Sequence, residues 1–497
     1  MASEAKRGLI RIATNYTRLF LNVSMGLASV PILLSQTGKE GWGLIAMLGA
    51  TTGVAALTEE TIRRSMVSEL GRALHHEDRS EFTRVYNAAT IVALGMAAFT
   101  LMVFGLIYLL LPMFNISSPA LFRAAQWIVM FKACESFSDV VLSPAFNTYL
   151  ASERMLAFNF WVTAQRVARF LSAVWLLVMV PNTASVEAVI KTYAVVGAIL
   201  YIGVGVAASL VMMLFVEPRT LPRPWLARFH AMRGLAGIGR WNMLMTLSQN
   251  LHLRADQIVT NLYFGLVFNG VFGWAMQLTS YVRMLTMGMT DGLDAVTTRV
   301  AAHKGASSVL DLMRHSTRLH AFVALPTGIG MLILAEPVLR VWLGARAEDP
   351  EIMIPLAVPV MQVIVLGTTA RAVSDGWIRI LYGAGYIRQY ARPFAFLSVF
   401  NPIIAVALSA TMPEGVAYLG PPIAFAVVTL ALSGVLIPIV GARCLNVRPE
   451  DIVAPAIRPT IIAVGCSPIL LGAVASIHHW NLIKLAATCA AYGIAVF

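Results

Sequence analysis

What this sequence lacks most is charge. Only 12% of its 497 residues are Asp, Glu, Lys or Arg, against 58% that are hydrophobic. A water-soluble fold needs more charge than that to cover its surface, so the composition excludes one. Lipid is the solvent for most of the chain, in line with a mean hydropathy of +0.74. Cysteine is scarce as well. Cys134, Cys444, Cys466 and Cys489 are scattered in or beside apolar segments, with neither metal-ligand spacing nor a disulfide framework. No Walker or dinucleotide-binding glycine motif occurs, which leaves an ion gradient, the membrane potential or the substrate gradient to supply energy. There is no inserted soluble domain and no sizeable outer loop. Membrane glycosyltransferases and ligases usually carry acidic or histidine catalytic groups on such a loop, so an enzyme is not expected. The net charge of +12 contains no basic run long enough to track a nucleic acid. The basic start, MASEAKRGLIR, leads into no short apolar region with a cleavage site and reads as a retained cytoplasmic tail.

What is present is a long series of apolar stretches. They fall at about 12–36, 42–60, 85–113, 119–147, 155–181, 187–216, 235–264, 268–292, 315–339, 353–383, 390–412, 416–441, 453–476 and 481–497. These are about fourteen candidate transmembrane helices in an all-α polytopic membrane protein. The loops alternate in charge. Arg63 to Arg84, Glu153-Arg154, Arg219 to Arg233, Arg299 to Arg318, Arg388 to Arg392 and Arg443 to Arg458 fall on one side, and short cation-poor turns on the other. Cations collect in cytoplasmic loops, so both termini are expected inside.

An internal repeat organises the spans. TGKEGWGLIAML, from Thr37 to Leu48, pairs with FGLVFNGVFGWAMQL, from Phe264 to Leu278. Each puts a glycine at a helix end, then a turn, then an aromatic-glycine pair opening the next helix. Glu81-Phe82-Thr83-Arg84 likewise pairs with Asp311-Leu312-Met313-Arg314. The separation of about 230 residues covers six helices, so the copies run parallel. The expected organisation is an N-terminal lobe over 1–218 (spans one to six), a second lobe over 219–441 (seven to twelve), and two further helices over 442–497. In parallel-repeat transporters the substrate site lies between the lobes.

A charge at mid-bilayer is costly unless it faces protein or a watery cavity, so the deep ionisable groups carry the information. They are Arg18 in the first span, Lys132, Glu135 and Asp139 in the fourth, Arg166 and Arg169 in the fifth, and Lys191 near the outer end of the sixth. The second lobe has Arg240, Arg254 and Asp256 in the seventh span, Arg283 in the eighth, and Arg371, Asp375 and Arg379 in the tenth. Glu135 should lie level with Arg166 and Arg169, and Lys132 with Arg169, which suits a structural ion-pair lock as well as an anion site. Arg371, Asp375 and Arg379 recur every four residues and can pair along one helix face, with Arg371 and Asp375 as candidates for coupling or gating. Pro355 and Pro359 suggest a kink in that helix.

Arg18 has no acidic neighbour at i±3 or i±4 and can either snorkel to the headgroups or face a cavity. Arg283 has none either and lies too deep to snorkel. Arg254 and Asp256, two residues apart, project to different faces and need separate partners. Cations exceed anions over the deep positions. Guanidinium groups suit bidentate phosphate binding, so a cavity holding Arg18, Lys132, Arg166, Arg169, Arg254 and Arg283 points to an anionic, phosphate-bearing substrate. Asp256, Glu135 and Asp139 are the candidate carriers of a coupling H+ or Na+, and no other cofactor or metal is expected. An acidic cavity would instead suit a cation-coupled multidrug exporter of the same fold.

Gly38 with Gly41-Trp42-Gly43, and the stretch from Glu69 to Arg84, resemble the polysaccharide-transporter branch of the multidrug/oligosaccharidyl-lipid/polysaccharide exporter superfamily. So do Arg254-Ala-Asp256-Gln257 running into Phe264-Gly265 and Gly270-Val-Phe-Gly273, and Glu336 to Gly344. The likeness covers most of the chain in order. It implies a flippase of the bacterial inner membrane, similar to O-antigen or exopolysaccharide flippases, that moves polyprenyl-diphosphate-linked oligosaccharides by alternating access. It also implies a cation-lined cavity between six-helix lobes, with Arg18 and Arg283 meeting the diphosphate. Polysaccharide polymerases or glycosyltransferases are the partners it suggests.

Overall fold

In hydrocarbon an unpartnered backbone N–H or C=O is prohibitively costly, and an α-helix satisfies both within its own segment. The computed structural model follows that rule. It describes residues 2–51, 66–67, 69–74, 79–116, 118–152, 154–181, 184–227, 229–290, 293–344 and 349–496, and among these residues there is no strand. The helices are α1 (Ala2–Thr51), α2 (Arg79–Leu110), α3 (Pro119–Ala151), α4 (Met155–Met179), α5 (Val186–Val211), α6 (Phe229–Thr290), α7 (Leu293–Ile333) and α8 (Ala335–Leu343). They continue as α9 (Pro350–Gly383), α10 (Ile387–Thr411), α11 (Gly420–Leu430), α12 (Ile437–Leu445), α13 (Pro449–Val453), α14 (Ile457–Ser476) and α15 (Leu482–Val496).

Packing divides the chain into two compact units, Met1–Asn250 and Leu251–Phe497, and α6 passes from one into the other. In the first unit α3 packs on α2 and α5, and α4 on α5 and α1. In the second, α9 packs on α7 and α11, while α14 lies against α7 and α15. Both units cross the membrane several times.

Three helices are longer than a single span because a glycine folds each within its length, the third being α7 at Gly305 with φ 78° and ψ −174°. Gly38 in α1 has φ 69° and ψ 179°, and Gly265 in α6 has φ 79° and ψ −174°. Positive φ is strained for a residue with a Cβ, so glycine is required at all three bends. Gly38 and Gly265 are the two glycines of the sequence repeat, and their backbones match. The repeat recurs in the paired tetrapeptides, where Glu81–Arg84 and Asp311–Arg314 form i, i+3 ion pairs at 3.6 and 3.8 Å. It recurs again in a π-helical turn in both the sixth and the twelfth spans, Met212–Val216 and Ala431–Leu436. The sequence gives no sign of these turns.

Among the described residues nine helical stretches are long and apolar enough to cross a bilayer, or ten with one bent pair. Met243–Thr290 holds the expected seventh and eighth spans in one stretch. The second span lies partly outside the described residues, the fourth (α3) is long but carries charges, and the last (α15) is short at 15 residues. The architecture of about fourteen spans stands. The ninth span is corrected: it ends at Ile333, and α8 turns away from it by 74°. Helix α9 runs unbroken past Pro355 and Pro359.

Candidate functional site

In the first unit Lys132, Glu135 and Asp139 stand at i, i+3 and i+7 on α3, on one face. Glu135 accepts from Lys132 Nζ at 2.7 Å and also from the Arg169 guanidinium on α4. Its side chain is 7% exposed, against 28% for Lys132 and 39% for Arg169, so the carboxylate is buried beneath its cations. Asp139 accepts from the Tyr201 hydroxyl of α5 at 3.0 Å, and Arg169 stacks 4.6 Å over the same ring. Two cations and two carboxylates thus tie α3, α4 and α5 together. Arg169 is the partner the level-matching pointed to, while Arg166 is exposed.

Arg18 does not snorkel. Its Nη1 donates to Asn159 Oδ1 of α4 at 2.9 Å, which places it against the bundle. Lys191 stacks 4.4 Å over the Trp127 ring near the end of α5. The side chain of Arg240 lies outside the described residues.

The second unit has a different arrangement. Arg283, on the arm of α6 beyond Gly265, grips Asp375 of α9 with both prongs. Its Nε lies 2.5 Å from Oδ2 and its Nη2 3.3 Å from Oδ1. Arg371 reaches Oδ1 only at 4.0 Å. One expectation is corrected here: Asp375 pairs chiefly with Arg283 of α6 rather than along its own helix. A guanidinium fork meets a carboxylate squarely from a facing helix but only edge-on from four residues away. Arg379 also lies within electrostatic reach of Asp375. Three arginines therefore share one buried carboxylate, and Arg283 is still 30% exposed.

Asp256 and Arg254 part company. Asp256 is fully buried, and each of its oxygens accepts from Asn401 Nδ2 of α10 at 2.9 Å. The same Nδ2 lies 2.8 Å from the His252 carbonyl. No cation pairs with Asp256 among the described residues. Arg254 is half-buried.

Two buried histidines were not legible as site residues in the sequence. His252 Nε2 lies 2.7 Å from Thr429 Oγ1, and its ring stacks on Phe425. His320 Nδ1 lies 2.7 Å from the Ser316 carbonyl, opposite Gly376. A Cβ at Gly376 would stand 2.2 Å from Ser316 Oγ, so only glycine lets α7 and α9 close there. The available signal was a histidine inside an apolar run, two residues before Arg254 in the first case.

Residues 175–349 match the model of the polysaccharide biosynthesis protein family. The fold itself is matched by solved structures over nearly the whole chain. An inward-facing multidrug resistance MATE family transporter of the MOP superfamily aligns with a TM-score of 0.71 at 12% identity, over 87% of this chain and 98% of its own. The fold is that of the MOP-superfamily transporters. The lipid II flippase MurJ aligns with a TM-score of 0.70 at 9% identity, over 97% of this chain and 96% of its own. A MOP superfamily transporter from Pyrococcus furiosus, described as having a binding pocket of reverse polarity, aligns at 0.62 with 13% identity, over 88% of this chain and 95% of its own. No curated protein matches the sequence. The match over residues 175–349 and the shared fold agree with the resemblance carried by the glycine and arginine motifs.

On this fold, many of the charged residues singled out in the sequence gather into one cluster per unit.

Proposed function

We propose that the protein is a flippase of the bacterial inner membrane for polyprenyl-diphosphate-linked oligosaccharides, working by alternating access of its two units with both termini in the cytoplasm. The observation that carries this reading is the excess of arginine around Asp375. One carboxylate neutralises one guanidinium, so Arg283, Arg371 and Arg379 leave positive charge on a partly exposed fork. A diphosphate fits that surplus because its oxygens take parallel N–H bonds from a guanidinium. A cationic drug would be repelled there, which argues against a multidrug exporter on the same fold. The match to a polysaccharide biosynthesis family supports a saccharide cargo. In this reading the protein acts as a transporter rather than an enzyme.

Coupling falls to Asp256 in this reading. A buried carboxyl with an amide and no cation beside it suits a group that takes up and releases a proton. Asn401 links it to the His252 backbone, and His252 lies within electrostatic reach of Arg371. Protonation at Asp256 would in this way be felt at the arginine cluster.

The test is reconstitution with a fluorescent polyprenyl-diphosphate oligosaccharide. Protein-dependent transbilayer movement is expected, with Arg283→Ala slowing it at least ten-fold and Arg283→Lys less. Movement no faster than in empty vesicles overturns the function. Unchanged movement in Arg283→Ala overturns the site. Asp256→Asn is expected to keep movement down a substrate gradient but lose its response to an imposed pH gradient, and a retained response removes Asp256 from coupling.

A further inference from the structure

The chain that follows the sixth span is basic and has almost no counter-charge. Arg219, Arg223, Arg228 and Arg233 come in quick succession, and no Asp or Glu occurs between Glu217 and Asp256. Glu217 itself is gripped by Arg219, whose guanidinium also stacks 5.0 Å over Phe82 of α2. Arg223 is exposed, and among the described residues it pairs with no carboxylate.

The start of this linker, residues 217–227, is firmly held. Pro218, Pro222 and Pro224 fix its backbone φ. Two of them open 3-10 turns, Pro218–Thr220 and Pro224–Leu226. Thr220 is buried, and its Oγ1 donates to the Glu217 carbonyl at 2.7 Å. Asn87 Oδ1 of α2 accepts from the Arg223 backbone N–H at 2.5 Å. These contacts tie the linker to α2 and leave its apolar side chains bare. Trp225 is 77% exposed and Leu221 41%, with Leu226 close behind. Phe215, in the π-helical turn that ends the span, is 79% exposed as well.

Apolar exposure that continues from a lipid-facing turn into the linker means that the linker runs back along the bilayer surface. A tryptophan ring is favoured at headgroup depth, where its body meets acyl chains and its N–H meets water. Apolar side chains interleaved with arginine are the make-up of a segment lying in that plane.

The second unit supplies the contrast. After the twelfth span its linker reads Arg448-Pro449-Glu450-Asp451, where the first reads Arg223-Pro224-Trp225-Leu226. The tie to the bundle is repeated. Asn87 and Thr317 each stand three residues after the arginine of the paired tetrapeptides, and Thr317 Oγ1 donates to the Ile452 carbonyl at 3.1 Å. Asp451, however, pairs with Arg314 at 2.9 Å, so that linker neutralises charge within the protein. In the first unit a tryptophan and a leucine stand in place of the two acids, and no linker acid is left to neutralise Arg223.

We infer that residues 217–227 form a docking surface for the anionic phospholipid headgroups of the leaflet they border. Leu221, Trp225 and Leu226 seat at the acyl boundary, and Arg223 takes a headgroup phosphate through its guanidinium fork. The surface sets the depth at which α6 begins, the helix that passes from one unit into the other. It does not depend on the cargo proposed above.

The test reads Trp225 in the full chain reconstituted into phosphatidylcholine vesicles. Its fluorescence is the difference between wild type and Trp225→Phe, and the quenchers are brominated phosphatidylglycerol and brominated phosphatidylcholine. One arginine near an anionic surface contributes about five-fold in association. Phosphatidylglycerol is therefore expected to quench Trp225 at an about five-fold lower fraction than phosphatidylcholine. Arg223→Gln is expected to remove that preference, Arg223→Lys to keep most of it, and Arg448→Gln to leave it unchanged. Equal quenching by the two lipids overturns the anionic preference, and quenching by neither overturns the surface location. A preference that survives Arg223→Gln removes that arginine from the site. Its loss in Arg448→Gln as well would reduce it to an effect of net charge and overturn the site. If equimolar polyprenyl diphosphate displaces the brominated phosphatidylglycerol, the surface receives a diphosphate lipid instead, and the assignment to phospholipid falls.

Discussion

The two units solve the same problem with different balances of charge. In the first, Lys132 and Arg169 face Glu135 and Asp139, two cations against two carboxylates, with a tyrosine hydroxyl and ring completing the set. In the second, Arg283, Arg371 and Arg379 surround Asp375 alone, while Asp256 sits apart with an amide. The buried polar atoms without partners divide the same way. Among the described residues only Asn22 and Arg169 hold one in the first unit, while seven residues of the second do. A balanced cluster acts as a brace. An unbalanced cluster beside unsatisfied polar atoms costs stability and is retained where charge or protons are handled. The comparison teaches that repetition of the fold does not repeat the chemistry.

Removing each carboxylate is the strongest way to break that contrast. Asp375→Ala leaves buried guanidiniums without a counter-charge and is expected to cost about 3–5 kcal/mol, read as a large fall in thermal unfolding midpoint in detergent. The double variant Asp375→Leu, Arg283→Met should recover only part of it, because the buried Arg371 is still left without its counter-charge. Glu135→Gln is expected to cost less, about 1–3 kcal/mol, since both its cations are partly exposed and can be solvated. A larger loss for Glu135→Gln than for Asp375→Ala would reverse the assignment of brace and binding site. Asp256→Asn should leave the midpoint nearly unchanged, because an amide suits a buried site with no cation better than a charge does.

A small, pH-dependent effect lies outside the membrane. Arg219 grips Glu217 through Nε at 2.7 Å and Nη2 at 2.9 Å while stacking over Phe82. Those hydrogen bonds hold the Glu217 carboxyl below its ordinary value. A depressed folded value means stability that is present above the unfolded value and lost as pH falls through the folded one. Unfolding midpoints of the wild type and Glu217→Gln should therefore differ at neutral pH and converge below pH 4.5, the ordinary carboxyl value. A constant gap down to strong acid would show that the pair contributes packing rather than charge.

Much of this was readable in the chain. The matched glycines at Gly38 and Gly265 were visible because a positive-φ bend admits little else. Lys132, Glu135 and Arg169 were placed together by equal distance from one short turn, since helical rise converts count into depth. The same counting failed at Arg283. Its partner lies on α9, about ninety residues away, and no local spacing reports which of two distant helices are neighbours. Asn401, His252 and His320 escaped notice because neutral polar side chains in apolar runs carry no charge signal, although burial makes them costly. The bend before α8 was hidden because Val338, Leu339, Val341, Trp342 and Leu343 carry the apolar run on past Leu334.

By itself, then, the sequence determined the solvent, the helices and the glycines at which α1 and α6 fold, because a lipid environment constrains every residue locally through hydropathy and backbone hydrogen bonding. Tertiary structure alone decided the pairings. A buried charge is satisfied by whichever group packing brings within about 3 Å, and packing between helices far apart in sequence gave Asp375 to Arg283 and Asp256 to Asn401.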